Sequence, residues 1–202
     1  MQFLSGAAEG QTPLDPDEAE QLIPSAVTSR ADLDIVEAEN IALALRWALG
    51  TNRAPEAVLD ESFLRRLHKR MFDEVWRWAG AYRQTARNIG VDWWLIPQEI
   101  GQLIGDAKYW IEHDVHERDV HCIRFHHQLV KIHPFPNGNG RHARLAADVL
   151  SVSLGGEPLR WGAGTNLEPA ALRARYIASL QAADDGDLTD LIAFARSEIG
   201  TG

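Results

Sequence analysis

The sequence predicts a mostly α-helical domain that carries one small β-hairpin. Apolar residues recur every three or four positions through most of the 202-residue chain. A single stretch, residues 82–97, breaks this period and collects Thr, Ile, Val and Trp around Asn88 and Gly90, which favours a short hairpin. One domain is expected at this length, because such a chain can bury one substantial core.

The first predicted helix follows an N-terminal arm. Residues 1–24 carry three prolines among acidic and small residues, which favours an extended arm. Ser29, with Asp32 three residues later, has the form of a capping box, and a glycine follows the last periodic residue. A helix is therefore predicted over about 30–49, within a domain expected to span residues 25–199.

Six further helices are predicted downstream of the first. Their apolar residues repeat at helical spacing between glycine, proline and asparagine breaks. Pro134 disfavours α geometry at the residue before it, so one of these helices is expected to end at about Ile132. The six are expected at about residues 59–80, 98–113, 119–132, 140–154, 168–183 and 187–198.

The net charge and the cysteine content limit which partners the protein can bind and in which cellular compartment it is expected. The net charge is −9 and the isoelectric point is near 5.3, so the chain as a whole does not attract nucleic acid or an anionic membrane. Any phosphate-binding function must therefore come from local positive charge. The single cysteine excludes an internal disulfide, and the first residues lack the basic and apolar regions of a signal peptide. A cytoplasmic location without direct nucleic-acid or membrane partners is expected.

The segment HPFPNGNGRHAR, residues 133–144, concentrates the chemistry of the chain. A helix that begins within NGNG directs free backbone N–H groups and its positive dipole end into the loop, where glycines allow close approach of a ligand. Arg141 and Arg144 are three residues apart, so they lie on neighbouring positions of that helix and can reach adjacent phosphate groups. The pattern predicts a site for a di- or triphosphate.

His133 precedes this predicted anion site and adds a proton acceptor. A histidine is neutral near physiological pH and can take a proton from a hydroxyl group. Asn137 offers an amide oxygen for a cation, and Asn139 offers amide hydrogens for a phosphate oxygen. Together these groups predict phosphoryl or nucleotidyl transfer. Taken singly, each also fits a polar turn between two helices, in which Arg144 pairs with Asp148.

The segment resembles the signature of Fic-domain proteins, which consists of a histidine, a phenylalanine, an acidic residue, Gly-Asn-Gly and two arginines at fixed spacing. The resemblance continues through FLRRLHKRMFDEVWRWAGAYR, NIGV, FHHQLVKIHPF and YIASLQAADDGDLTDLIAF, and covers about residues 20–197. It implies a Fic-type helical bundle with the hairpin as a flap. The chain looks most like the bacterial subgroup called mobile mystery protein B, which implies a small regulatory partner protein and a toxin-like role. The matching residues are His133, Phe135, Gly138, Asn139, Gly140, Arg141 and Arg144.

The resemblance implies protein adenylyltransferase activity, in which AMP passes from ATP to a Ser, Thr or Tyr hydroxyl of a target protein. It implies that His133 deprotonates that hydroxyl. Asn139 and the backbone after Gly138 would hold the α-phosphate. Arg141 and Arg144 would grip the β- and γ-phosphates. Positioning of the reactants and electrostatic stabilisation of the transition state are then the main contributions of the protein to catalysis.

Asn137 departs from the Fic signature, which has Asp or Glu at this position, usually as a Mg²⁺ ligand. An amide oxygen can still bind Mg²⁺, but without a negative charge the ion depends more on phosphates and water. One alternative is that Asn137 only shapes the turn. Two functional alternatives follow from the departure: transfer of another phosphate-containing group, or a weakly active nucleotide-binding or interaction protein.

The predicted hairpin matches the place of a flap that, in Fic proteins, docks an extended target segment by strand addition. The alternative is a small hairpin that covers the core, with Trp93 and Trp94 as packing residues. The residues expected to dock the target are Arg87, Asn88, Ile89, Gly90 and Val91.

The first predicted helix is the candidate for an inhibitory helix, whose glutamate in many Fic proteins pairs with the second signature arginine. Glu39 followed by Asn40 fits the end of the usual pattern, although Ile35 occupies the hydroxyl position. Glu37 is the rival, because it lies on the apolar stripe of the helix and needs a cationic partner if buried. We expect one of the two to restrain Arg144; the alternative is that both are solvated on the outer face.

Overall fold

The computed structural model describes residues 16–197, in which nine α-helices and one short 3₁₀ helix form a bundle. The mostly α-helical fold predicted from the sequence is confirmed. Within this range no helix is both long and apolar enough to cross a membrane. Residues 1–15 of the expected arm and the chain from residue 198 lie outside the described residues. The helices are α1 (Pro16–Ala19), α2 (Arg30–Leu49), α3 (Pro55–Val58), α4 (Glu61–Phe72), the 3₁₀ helix (Trp93–Leu95), α5 (Ile96–Glu112), α6 (Arg118–Ile132), α7 (Asn139–Ser153), α8 (Pro169–Asp184) and α9 (Thr189–Arg196).

The start of α2 follows the predicted capping box. The Ser29 hydroxyl accepts a hydrogen bond from the Asp32 backbone N–H at 3.1 Å, and the Asp32 carboxylate accepts one from the Ser29 N–H at 2.9 Å. The reciprocal pair satisfies two N–H groups that the first turn leaves without a helical acceptor. One face of α2 is buried, and it carries Leu33, Glu37, Asn40, Ala44 and Ala48.

The helix α4 ends eight residues before the expected end at Gly80, because tertiary contacts take over the backbone after Phe72. The Asn40 side chain accepts a hydrogen bond from the Glu74 N–H at 3.1 Å, and the Val75 carbonyl accepts one from the Ile23 N–H at 2.8 Å. A helical pattern in the sequence therefore continues beyond the helix itself. The apolar side chains of this stretch, Val75, Trp76 and Trp78, remain buried in turns.

The predicted β-hairpin over residues 82–97 does not form. Residues 82–92 contain no strand, and the chain then enters the 3₁₀ helix and α5. The Arg83 guanidinium donates to the Thr85 carbonyl at 2.9 Å and also to the Val91 carbonyl. One buried side chain thus binds both legs of the segment, whose carbonyls a hairpin would use in a ladder between strands. The segment is a non-helical loop organised by Arg83.

The loop that carries the Fic-like segment lies between two helices of the core. The helices α6 and α7 pack against each other, and each buries more than one face: α6 buries three of its histidines, and α7 buries most of its length from Ala143 to Ser151. A smaller apolar cluster joins α8 and α9 to α6 through Ile123, Tyr176, Leu191 and Phe194. Residues 133–138 therefore connect two fixed helix ends.

Candidate active site

His133 occupies a constrained backbone position at the end of α6. Its φ of 54° and ψ of 59° lie in the left-handed region, which is unfavourable for a residue with a side chain. The buried Arg83 holds it there: Arg83 Nε donates to the His133 carbonyl at 2.7 Å, and the Arg83 N–H donates to the Pro134 carbonyl at 2.9 Å. The imidazole is therefore placed by a residue fifty positions earlier in the chain.

Gly90 passes directly against His133. A Cβ at Gly90 would lie 2.7 Å from the His133 Cβ and 2.8 Å from Arg83 Nη2, and the Gly90 φ is +93°. Only glycine meets both the conformation and the spacing without strain. The Val91 N–H also donates to the Ile132 carbonyl at 3.3 Å, so this segment is tied to the end of α6.

The His133 imidazole is neutral at physiological pH. It is 7% exposed, and burial lowers its pKa to about 4, with further lowering by the positive charges of Arg83 and Arg87. A hydrogen bond with the Val130 backbone acts in the opposite direction. A neutral imidazole among cationic groups can accept a proton and lies in a region that attracts anions.

The loop between His133 and α7 is closed by the Asn139 side chain. Asn139 Oδ1 accepts from the Phe135 N–H at 2.9 Å, and Asn139 Nδ2 donates to the Phe135 carbonyl at 2.8 Å. Both ends of the amide are used, and Asn139 is 3% exposed. Its side chain therefore shapes the loop in this structure, and a phosphate would meet the backbone of Asn139 rather than its amide.

His68 on α4 supports the loop from the core, and the sequence reasoning missed it. The Gly80 N–H donates to His68 Nδ1 at 3.0 Å, so the neutral ring carries its hydrogen on Nε2 and donates to the Asn137 carbonyl at 3.1 Å. The ring also stacks on Phe135 with centroids 3.7 Å apart, and burial lowers its pKa well below the usual value. A histidine on the apolar stripe of a predicted helix was the available signal.

The N-terminus of α7 supplies backbone donors beside His133. Gly138 is the cap, with a φ of 77°, and a Cβ there would lie 2.5 Å from the Phe72 ring. The N–H groups of the first helical residues, Asn139, Gly140 and Arg141, have no acceptor within the helix and lie at its positive end.

Arg141 is paired with Glu37, so the partner differs from the one expected. Arg141 Nη1 lies 2.6 Å from Glu37 Oε2, whereas the resemblance implies a glutamate on Arg144. Glu37 is 2% exposed, and its Oε1 accepts a hydrogen bond from Trp76 Nε1 at 2.7 Å. Glu39 is exposed on the outer face of α2. Of the two candidate glutamates, only Glu37 contacts α7.

Arg144 lies over an aromatic ring of α8. Its guanidinium carbon is 4.9 Å from the centre of the Tyr176 ring, and the Tyr176 hydroxyl lies 2.9 Å from His126 Nε2. A Cβ at Gly140 would lie 3.5 Å from the same hydroxyl, so Tyr176 lies close to both the glycine loop and Arg144. Asp148, the partner that a plain polar turn would give Arg144, accepts hydrogen bonds from the Leu159 N–H at 3.0 Å and from Trp161 Nε1 at 2.8 Å. Tyr176 comes from the remote helix α8, so the spacing within the loop does not indicate its place beside Arg144.

Asn137 does not form a metal site with its neighbours. Its Oδ1 accepts the Gly138 N–H at 2.6 Å, so the oxygen turns back on the loop. In the part of the chain that the structure describes, no three His, Cys, Asp or Glu side chains are grouped to hold a metal ion. The only carboxylate paired with the signature arginines there is Glu37, which is buried against Trp76. The residues present do not fit a magnesium ion held by the protein.

The five residues expected to dock a target divide into anchors and an exposed tip. The Arg87 side chain is 4% exposed and forms an ion pair with Glu18 of α1, and Val91 is half-buried against the core. Asn88, Ile89 and Gly90 are exposed, with Ile89 at 48%. Beyond them, Trp93 and Trp94 are exposed by 40% and 59%, so they are not core residues.

The helical bundle and its loop of histidine, glycine and arginine are similar to those of a known family. Residues 58–151 match the model of the Fic/DOC family. This part of the chain, 94 of the 202 residues, is therefore similar to the Fic/DOC family. It is 28% identical over 102 residues to "Protein adenylyltransferase Fic" of Drosophila virilis, with 48% of this chain and 19% of that protein covered. It is 30% identical over 122 residues to "Protein adenylyltransferase fic-1" of Caenorhabditis briggsae, with 57% of this chain and 22% of that protein covered.

Solved structures share the fold. A fragment of Fic-1 from C. elegans superposes with a TM-score of 0.66 at 23% identity, covering 89% of this chain and 52% of that one. BepC of Bartonella tribocorum, solved with bound AMPPNP, gives 0.65 at 17% identity and covers 91% and 97%. The N-terminal Fic domain of a Bep effector protein from Bartonella quintana gives 0.69 at 16% identity and covers 89% and 91%. The chain spans about a fifth of the length of the two curated relatives it matches.

Proposed function

We propose that the chain is a protein adenylyltransferase that transfers AMP from ATP to a Ser, Thr or Tyr hydroxyl of a target protein. The observation that carries the proposal is the placement of a neutral, buried His133 beside the N-terminus of α7, with two arginines on the first turns of that helix. The names of the curated relatives support the reaction, and the bound AMPPNP of the BepC structure supports the nucleotide.

In the proposed reaction His133 is the general base. Its imidazole takes the proton of the target hydroxyl, the hydroxyl oxygen bonds to the α-phosphorus, and the bond from that phosphorus to the bridging oxygen breaks to release pyrophosphate. A pKa of about 4 makes the free imidazole a weak base. The negative phosphates of bound ATP counter the charges of Arg83 and Arg87, so we expect them to raise the pKa of His133 toward the working pH.

The phosphates are assigned to the loop and to α7. The backbone N–H groups of Asn139 and Gly140, which follow Gly138, face the α-phosphate, and the Asn139 side chain keeps the loop in the shape that presents them. Arg141 and Arg144 bind the β- and γ-phosphates, which spreads the negative charge of the leaving group. Mg²⁺ would arrive with ATP on the phosphate oxygens and water, because Asn137 is turned onto the loop.

The target is proposed to dock on the exposed tip Asn88–Gly90, which passes against His133. Arg83, Arg87 and Val91 fix the base of this tip, so a target segment bound there would carry its hydroxyl to the imidazole. Exposed backbone in such a tip can pair with an extended chain, as a strand edge does.

Glu37 is proposed as the regulatory residue. While it holds Arg141 at 2.6 Å, that guanidinium is shared between a buried carboxylate and an incoming phosphate, and ATP must compete for it. The functional unit is proposed to be residues 25–199 with the inhibitory helix at about 30–49, preceded by the arm 1–24. Membership of the mobile mystery protein B subgroup, a small regulatory partner and a cytoplasmic, toxin-like role belong to the same proposal and rest on the sequence resemblance.

Two other functions are distinguished from AMP transfer by one experiment with labelled ATP. Asn137 favours transfer of a different phosphate-containing group, or binding of a nucleotide with little turnover, because it lacks the acidic charge of the signature. The purified chain is incubated with Mg²⁺, a cell extract and ATP that is labelled at either the α- or the γ-phosphate. Label transferred from the α position to protein supports AMP transfer. Label from the γ position identifies a kinase, and ATP binding without transfer identifies a binding protein; either outcome contradicts the proposed reaction.

A further inference from the structure

A cavity of about 250 Å³ lies between α5, α6 and the turn that joins α8 to α9, and no residue of the loop 133–144 lines it. Its position places it on helices that carry the active-site loop but outside the loop itself. A space of this size is slightly smaller than the usual range for drug-sized ligands, so it suits a small molecule. The residues that matter for its chemistry are Trp110, Arg124, His127, Lys131, Asp184 and Leu188.

The cavity wall is cationic although the chain has a net charge of −9. Arg124 and Lys131 contribute two positive charges, and Asp184 contributes the one carboxylate of the lining. His127 is neutral, because burial lowers its pKa, and it shares that carboxylate: His127 Nε2 and Lys131 Nζ lie 2.9 Å and 3.7 Å from Asp184 Oδ1. One positive charge is therefore left without a carboxylate in the lining.

Arg124 also carries a donor without an acceptor. Its Nε is buried, and among the described residues nothing accepts a hydrogen bond from it. Burial of an N–H without an acceptor is unfavourable, and native proteins resolve it with a ligand or a bound solvent molecule. This Nε is closed to solvent and so does not line the cavity; the excess of positive charge in the lining is the observation that calls for an anionic oxygen.

The rest of the wall carries apolar side chains beside Gln128. Trp110 of α5 is half-buried and lines the cavity, and Leu188, in the turn before α9, lines it too. An indole face binds flat groups by stacking, and the aliphatic side chain completes an apolar slot. The cavity thus combines cationic groups for an anion with an indole for a planar group.

We propose that this cavity binds a small organic anion in which a carboxylate or a phosphate is attached to a flat apolar group. Arg124 and Lys131 bind the anionic oxygens, and Trp110 stacks on the apolar group. The inference does not depend on AMP transfer, because none of these residues belongs to the loop 133–144.

The test is an NMR titration of the full chain with benzoate, phenyl phosphate and benzamide. Benzamide is the neutral counterpart of benzoate, with the same ring. We expect saturable shifts of the Trp110 indole N–H, assigned with Trp110→Phe, and of the Arg124 Nε–H when either anion is added. The tighter of the two anions identifies the head group. Equal shifts with benzamide, or no saturable shift with either anion, would overturn the proposal.

Charge variants separate binding in the cavity from attraction to the surface. Arg124→Gln and Lys131→Gln are each expected to weaken anion binding roughly tenfold or more, the effect of losing one charge-assisted hydrogen bond. Lys108→Gln removes the same charge from the exposed face of α5, outside the cavity, and is expected to leave the affinity unchanged. Lys131 is exposed, so its variant remains informative if Arg124→Gln does not fold. Unchanged affinity in Lys131→Gln would contradict the assignment.

Discussion

Arg141 on α7 donates to Glu37 on α2 at 2.6 Å, and the same carboxylate accepts the Trp76 indole N–H at 2.7 Å. The contact joins a buried glutamate to the first arginine of the segment 133–144. A buried ion pair is weak evidence for stabilisation, because desolvation offsets much of the attraction. Its place beside the loop suggests instead that it controls the availability of Arg141.

Glu37→Gln is expected to tighten ATP binding and to accelerate AMP transfer. Glutamine keeps the volume and an oxygen for Trp76, but it removes the charge that holds Arg141, so ATP no longer competes with a carboxylate. The expected gain in ATP affinity is about tenfold, the size of one charge-assisted hydrogen bond. Calorimetric titration with a non-hydrolysable ATP analogue measures it. Glu39→Gln, on the exposed face of the same helix, is the control and should bind as the native chain does; equal affinities in all three would make the pair purely structural.

Gly90→Ala is expected to lower the turnover rate while leaving ATP affinity unchanged. The new Cβ would lie 2.7 Å from the His133 Cβ at a φ of +93°, so either the tip or the imidazole must move. The phosphate donors of α7 are not displaced. A steady-state assay that separates kcat from the KM for ATP checks this split.

Gly105→Ala provides the matched control for that substitution. Gly105 lies within α5 with open space where its Cβ would be, and alanine there is expected to stabilise the helix by roughly 0.5–1 kcal/mol without any change in turnover. If Gly90→Ala turns over at the native rate, the close contact with His133 has no role in placing the base.

Asn137→Asp is expected to reduce, by at least about tenfold, the Mg²⁺ concentration needed for half-maximal transfer, because it restores a negative charge beside the phosphates. Without Mg²⁺ the same charge repels ATP, so transfer should become more strictly dependent on the metal. Transfer rates measured across a Mg²⁺ series test this. Asn52→Asp, an identical change at an exposed position outside the loop, should not alter the series. Superimposable curves for Asn137→Asp and the native chain would mean that Asn137 only shapes the turn.

Stability is expected to fall as the pH is lowered from about 6.5 to 4, in part through His142. Burial lowers the pKa of this histidine from 6.5 to about 4, so in that window the unfolded chain binds a proton that the folded chain does not. The shift corresponds to about 3 kcal/mol, fully present above pH 6.5 and lost as the pH falls to 4. Asp148, whose pKa burial raises to about 6, acts in the opposite direction.

His142→Gln tests that contribution. His142 Nε2 lies 2.9 Å from the Leu64 carbonyl, and a glutamine can keep this hydrogen bond but does not titrate. Urea unfolding at several pH values should give a shallower decline for the variant than for the native chain. Parallel declines would show that His142 is not the source.

Most helices could be predicted because their signals are local. The reciprocal cap of Ser29 and Asp32, the helical spacing of apolar residues and Pro134 together fix where α2 starts and where α6 ends. The end of α4 and the missing hairpin could not be predicted in this way. They depend on hydrogen bonds from Asn40 and Arg83 to backbone groups that the sequence alone does not bring together.

In the candidate site too, the residues of one continuous segment could be predicted, and those that depend on tertiary contacts could not. His133, the glycines and both arginines lie in one continuous segment, so their spacing is visible in the sequence. The residues that contact this segment are remote in sequence: His68 comes from α4 and Tyr176 from α8. The pairing of Glu37 with Arg141 depends on helix packing rather than on a motif. Asn139 was expected to bind phosphate, yet the structure uses its side chain to close the loop, because both of its polar ends meet the Phe135 backbone.

The most direct test of His133 as the general base uses the variant His133→Ala. Transfer of label from α-labelled ATP to protein is measured for this variant, together with the affinity of the variant for ATP. We expect that ATP still binds, because the phosphates are held by α7, and that transfer is lost, because no other group takes the proton of the target hydroxyl. Transfer that persists in His133→Ala while the variant is folded and binds ATP would contradict the assignment of His133 as the base.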